Sequence, residues 1–276
     1  MKKNRIKYKH SIVSFFDILG FRKLIQNSSA ETIYKILEIF KNQSKHDDEV
    51  ASLFKMKFTN FSDCVVRSVD FIGNEAEYPI KILFSELIDL VHIQCSLIYE
   101  NILIRGAISV DEIYHSNQTV FGPGLVKAYL MENFDAKYPR IILKKNLIDS
   151  LSKIFKTESE QDDIKQILSL LRSEQNNFYY LDYLRVISNE ADHHTDFVRF
   201  LDHHKNLIVE NYSLATKPRV IDKYVWLAEY HNDVVYFMEK GLKDFGWDVQ
   251  KLIIPKSVVR NKGLLHQGND DWRLYT

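Results

Sequence analysis

The order of apolar and amphipathic segments predicts an α+β fold, an antiparallel sheet with helices packed on one of its faces, followed by a helical C-terminal extension. Three observations predict it. Short β-branched and aromatic runs alternate with long helical patterns up to about residue 185. Two of these runs are separated only by Ser62-Asp63, the spacing of a hairpin. Beyond about residue 187 only helical patterns remain, which divides the chain into 1–186 and 187–276.

The elements follow in order. Residues 10–16 (HSIVSFF) read as a buried strand, and Gly20 marks a tight passage into a helix over 21–45, where Leu24, Ile25, Ile33, Ile36, Leu37 and Phe40 recur at helical spacing. Strands are expected over 55–61 and 64–69, a long helix over 80–100, and a strand over 102–110. A short strand ends at Val120-Phe121, and FGPGL opens a helix to about Asn133. Residues 139–143 read as a strand, 147–168 as mostly helix, and FYYLDYL (178–184) as a last strand. A polar tail containing Gly263 and Gly268 ends the chain.

Composition narrows the function classes. The 276 residues are 45% hydrophobic and 13% aromatic, enough for a sizeable core and unlike a disordered chain. Lysine plus arginine and aspartate plus glutamate number 37 each, so no global charge draws the protein to nucleic acid or to an anionic membrane. Cys64 and Cys95 lack metal-site spacing and suit a reducing cytosol, so a cytoplasmic location is expected. The apolar stretch from Ile80 to Leu103 carries Lys81, Glu86, Asp89, His92 and Glu100 and reads as a core helix, not a membrane span.

The chemistry-bearing feature is an acidic residue at the end of each of two neighbouring strands. Asp17 leaves the first strand and Asp63 sits in the hairpin turn. If those strands pair, both carboxylates meet at one sheet end, where with water and phosphate oxygens they suit magnesium or manganese. The backbone N–H groups of Leu19, Gly20 and Phe21 open the following helix and suit a phosphate. The plainer alternative makes Asp17 a helix cap and Asp63 a turn residue. His193-His194 and His203-His204 read as solvated helix surface, because adjacent helical side chains diverge by about 100°. His231 reads as a hydrogen-bonded packing residue, and Tyr224, Trp226 and Tyr230 as core or dimer contacts.

FFDILGF (15–21) resembles the first metal motif of class III nucleotidyl cyclases, and FSDC (61–64) resembles their second. LIRGAIS (103–109), VFGPGLVKAYLMEN (120–133), AKYPRI (136–141) and KYVWLAEYHN (223–232) look like a bacterial branch similar to the pyrimidine cyclases of Pycsar antiphage defence. The resemblance implies a ferredoxin-like, palm-type cyclase domain over 1–186, working as a homodimer on a nucleoside triphosphate. Asp17, Asp63 and the Ile18 carbonyl would hold two Mn²⁺ or Mg²⁺ ions, and the product would be a 3′,5′-cyclic nucleotide such as cUMP or cCMP.

Thr59 and Thr119 stand at the family's base-reading positions, and Asp111 replaces a glycine after the fourth strand. Val126 and Leu130 replace the helix Asn and Arg that support ribose and phosphate, and Arg22, Arg105, Lys127 and Arg140 are candidate substitutes for the lost charge. The same replacements leave open a nucleotide-binding module without turnover.

Overall fold

The computed structural model describes residues 6–42, 56–71, 78–117, 119–174, 176–190 and 194–258. The end of the helix expected over 21–45, the start of the strand expected from 55, His193 and the polar tail lie outside them.

Strand β1 (Lys9–Ile18) is an interior strand of an eight-stranded sheet, flanked by neighbours on both sides. Two helices follow, α1 (Phe21–Asn27) and α2 (Ala30–Asn42), where the sequence predicts one. They separate at Ser28-Ser29, because the Ser29 hydroxyl accepts from the Thr32 N–H at 3.2 Å and starts a new helix. The hairpin β2 (Met56–Phe61) and β3 (Cys64–Asp70) is as expected, with Ser62 left-handed in its turn at φ 56°. Then come α3 (Tyr78–Tyr99) and β4 (Ile104–His115), which completes a β-α-β-β-α-β unit with strand order β2-β3-β1-β4.

The remainder extends the sheet and covers it. Strand β5 (Val120–Phe121) pairs with the far end of β4, and α4 (Pro123–Phe134) crosses to β6 (Ile141–Lys144), the one parallel neighbour of β4 among the described strands. Helices α5 (Lys145–Ile154) and α6 (Glu158–Ser169) are divided by a capping box between Thr157 and Glu160. β7 (Leu171–Ser173), which sequence reading passes over, pairs with β8 (Phe178–Leu181).

The strand expected over 178–184 stops at Leu181, because the Asp182 carbonyl takes the first helical hydrogen bond, from Val186 at 3.0 Å. Helices α7 (Tyr183–Glu190), α8 (His194–Leu214), α9 (Pro218–Phe237), α10 (Glu239–Asp244) and α11 (Val249–Leu252) complete the described chain.

Alternation along β1 sorts its side chains onto two faces. Ile12, Phe16 and Ile18 point to the main core, which runs without interruption through α3 to Trp226, Leu227 and Ile254 of the helical extension. On this face Gly106 is obligatory, since a Cβ there would lie 2.4 Å from the Phe16 ring. Val13 and Phe15 point the other way, into a second cluster with Val66, Ile113 and Ala128. The expectation of helices on one face therefore needs correction: α4 packs on the opposite face, over β1 and β4, where Ser109 donates to the Gly124 carbonyl at 2.7 Å. Residues 79–99 of α3 are, among the described residues, the helix long and apolar enough to cross a membrane, and 67% of that stretch is buried in this core.

Candidate active site

The second face carries the acidic pair. Register places Phe61, Cys64, Asp17 and Arg105 side by side across β2, β3, β1 and β4. The hairpin turn is tied to β1 by the Ile18 N–H, which donates to the Asp63 carbonyl at 2.9 Å. Asp17 and Asp63 are thus brought to one sheet end, close enough for the Asp63 charge to raise the Asp17 carboxyl's affinity for a proton. Burial lifts that carboxyl first; Arg105 opposes the lift, and Asp63 adds to it.

Two further residues complete the cluster, neither singled out from sequence. Glu132, buried on the inner side of α4, holds the Arg105 guanidinium at 2.5 Å, whereas Asp17 lies 3.5 Å from it. Arg105 is therefore anchored by Glu132, and the Asp17 side chain stays 23% exposed and keeps a side free. Lys223, half-buried on α9, lies within the electrostatic reach of Asp17, Glu132 and Arg105. A signal for Glu132 does exist, since it shares a helical stripe with Gly124, Ala128 and Met131, all buried. Lys223 opens the KYVWLAEYHN segment (223–232), but nothing in that segment ties it to the acidic pair, because the fold of a distant element brings it in.

The charge balance favours a cation. Asp17, Asp63 and Glu132 face two bases, Arg105 and Lys223. The surplus shows in the neighbours: burial, then Asp63, Asp17 and Glu132, push the Cys64 thiol up to about 11. Burial likewise raises Glu132 despite Arg105. Two half-exposed carboxylates leaving positions for water and phosphate oxygens match how magnesium and manganese are held, so the residues present fit such ions. Among the described residues no cluster of three His, Cys, Asp or Glu forms a closed metal cage.

The other sequence candidates fall elsewhere. The Leu19 N–H donates to the Leu103 carbonyl at 2.9 Å, so it is taken, and the phosphate cradle narrows to Gly20 and Phe21. Gly20 adopts φ 77°, the left-handed turn that starts α1, and Arg22 is exposed on that helix. Thr59 lies on the same face two residues up from the acidic row, about 7 Å along the strand. Its hydroxyl is bonded to His115 at 2.9 Å, and His115 also bonds Ser68 at 2.8 Å. Thr119 sits at the opposite end of β4 from Arg105, in the turn to β5, bonded to Ser116.

Lys127 is ion-paired with Asp111. Arg140 is buried between Tyr138, Tyr180 and Trp226 and pairs with Glu174 at 2.6 Å, a structural role. Val126 and Leu130 are exposed on α4. His204, expected at the surface, is 0% exposed: it falls in register with Phe197, Phe200, Leu201 and Ile208 on the inner stripe of α8. His203 bonds the Ile98 carbonyl, and His194 is exposed and stacks on Phe245. His231, Trp226 and Tyr230 are buried packing residues as expected, with Tyr224 partly buried beside them. Both cysteines are free.

An open acidic pair at the end of a β-α-β-β-α-β sheet defines the class of site, one suited to a cation and a phosphate. No family model and no curated protein matches the sequence. Among solved structures, the adenylyl cyclase CyaB from P. aeruginosa is 15% identical and matches 63% of this chain and 94% of its own, with a TM-score of 0.40. The monomeric guanylyl cyclase domain of the RhoGC fusion protein from the aquatic fungus Blastocladiella emersonii is 13% identical over 63% and 96%, at 0.38. The guanylate cyclase domain of RhGC from Catenaria anguillulae, in complex with GTP, is 14% identical over 63% and 97%, at 0.37. At such scores the likeness decides neither substrate nor chemistry.

Proposed function

We propose that this chain is a nucleotidyl cyclase that converts a nucleoside triphosphate to a 3′,5′-cyclic nucleotide and pyrophosphate. The observation that carries the proposal is the convergence of Asp17 and Asp63 at one sheet end, half-exposed and in each other's field. The new bond joins the ribose 3′-oxygen to the α-phosphorus, the bond from that phosphorus to the bridging oxygen breaks, and pyrophosphate leaves. Asp17, Asp63 and the Ile18 carbonyl would hold Mn²⁺ or Mg²⁺, which when bound acidifies the hydroxyl and screens the phosphate charge.

The chain's own residues do the rest. Glu132 fixes the Arg105 guanidinium beside Asp17, where it faces the charge that develops on the phosphate. Gly20 and Phe21 offer backbone N–H groups to the same anion. A homodimer in the cytoplasm is part of the proposal. The apolar side chains Val126, Tyr129, Leu130 and Phe134 on α4, with Phe61 of the hairpin, are exposed around the site and suit a second copy. A pyrimidine base, and with it a place in antiphage signalling, rests on the sequence resemblance.

A second reading, a nucleotide binder with little turnover, is favoured by the fact that Thr59, Lys127 and Arg140 are already engaged within the chain. Incubation with each of the four NTPs and Mn²⁺, followed by mass spectrometry, separates the two. A cyclic monophosphate that disappears in Asp17→Ala and Asp63→Asn supports the cyclase. Metal-dependent NTP binding without any cyclic product supports the second reading.

A further inference from the structure

Beside the acidic cluster lies a cavity of about 390 Å³, at the junction between the sheet and the helical extension. Its walls come from the turn after β1 and from α1 (Gly20, Lys23), from the segment before β4 (Asn101), and from α8 and α9 (Asn211, Lys223, Tyr224). The volume is in the range of small-ligand sites. Half of its lining is apolar, and its charged residues are two lysines, Lys23 and Lys223, with no carboxylate. Across Lys223 the sign reverses, to Asp17 and Glu132. Among the described residues the Lys223 ammonium makes no hydrogen bond or salt bridge, although the side chain is half-buried. An ammonium with no bonded carboxylate is free to make a charge-assisted contact with an anion.

Building on the cyclase reading, we infer that this cavity receives the polyphosphate end of the substrate, and that Lys223, contributed by the helical extension, is its principal cation. The order of charge fits: carboxylates suited to a cation on one side of Lys223, and on the other a recess whose polar residues include two lysines and three asparagines, set among apolar walls. A triphosphate with its α-phosphate at Asp17 would extend its β- and γ-phosphates past the Leu19-Gly20 turn toward Lys23. Lys223 is then a binding residue and the extension a part of the site.

Inorganic tripolyphosphate isolates this contact from cyclisation. Isothermal titration of the full chain should show binding that weakens about tenfold or more in Lys223→Met, as expected for loss of a charge-assisted contact. Lys223→Arg should retain it, and unliganded melting temperatures should match. Amine-reactive labelling of the unmodified protein, mapped by mass spectrometry, should show Lys223 protected by tripolyphosphate. That arm stands even if Lys223→Met fails to fold.

Equal binding by wild type and Lys223→Met, or labelling of Lys223 that tripolyphosphate leaves unchanged, overturns the inference. In the NTP assay Lys223→Met should raise KM more than it lowers kcat; an active enzyme with unchanged KM sinks the inference and leaves the cyclase reading intact. Lys223-dependent tripolyphosphate binding with no cyclic product does the reverse.

Discussion

Strands β1 and β3 carry a charge cluster on each face, and the two clusters differ in how completely they are closed. On the core face, Arg67 is 0% exposed and bonds Glu86 at 3.0 and 3.2 Å, Asp89 at 3.3 Å and the Phe40 carbonyl at 2.5 Å, while Ser14 donates to Glu86 at 3.2 Å. On the other face, Arg105 is about one fifth exposed and held mainly by Glu132, with Asp17 at a looser 3.5 Å. Asp63 is the third carboxylate of this cluster, beside two bases, Arg105 and Lys223. The closed cluster is architecture, since its arginine and two carboxylates are bonded to one another out of water. The open cluster keeps its charges within reach of water, at some cost to stability, and that suits a ligand.

The largest expected effect breaks the open cluster. Asp17→Ala should lower cyclic nucleotide formation on the order of a thousandfold, the scale for losing one pre-placed electrostatic partner. Its melting temperature should stay level or rise, because removing Asp17 relieves burial and the repulsion from Asp63. A large loss of stability would show that Asp17 belongs to the architecture instead. Next, Arg67→Met should cost about 3–5 kcal/mol in denaturant unfolding, because it strands two buried carboxylates. A loss below about 1 kcal/mol would remove the distinction between the clusters.

A pH titration gives the third effect. The Leu252 carbonyl can only accept, so His231 Nε2 carries a proton toward it at 2.9 Å. His231 Nδ1 then accepts from His204 Nδ1 at 3.0 Å, and His204 Nε2 accepts from the Tyr183 hydroxyl at 2.8 Å. This chain holds only with both rings neutral, and burial pushes His231 down to about 4. The unfolded chain binds protons more readily, from about pH 6.5 downward, so stability is full at neutral pH and is lost as pH falls toward 4. About 2 kcal/mol should disappear between pH 7 and 5 from His231 alone. His204→Gln and His231→Gln should flatten that slope; an unchanged slope would place the loss elsewhere. The smallest effect sharpens the comparison: Lys127→Ala, at an exposed ion pair, should alter stability by less than about 1 kcal/mol.

How much was legible in the sequence follows the range of the interactions. Asp17, Gly20 and Asp63 sit at a strand end, a left-handed turn and a two-residue hairpin, all local features that composition and spacing announce. Whether β1 lies beside the hairpin stays a condition at the level of sequence, and the register of β1 against β3 meets it. The split at Ser28-Ser29 hid because the apolar spacing continues across it, and the end of β8 hid because FYYLDYL stays aromatic after Asp182 has begun a helix. The engagement of Thr59, Lys127 and Arg140 within the chain is invisible in the sequence because their partners, His115, Asp111 and Glu174, lie 56, 16 and 34 positions away. Lys223 hid for the same reason.

The hydrophobic core that runs unbroken from β1 to Ile254 has a consequence for how the protein comes apart. Trp226 stacks on Tyr138, and the Tyr230 hydroxyl donates to Asp182 at 2.7 Å while accepting from the Leu184 N–H at 3.0 Å. Removing the chain after about residue 187 would strip the sheet of that cover and leave aromatic rings in water. Heating should therefore melt sheet and extension together in one transition, and a nicked chain should hold its two pieces in a single particle.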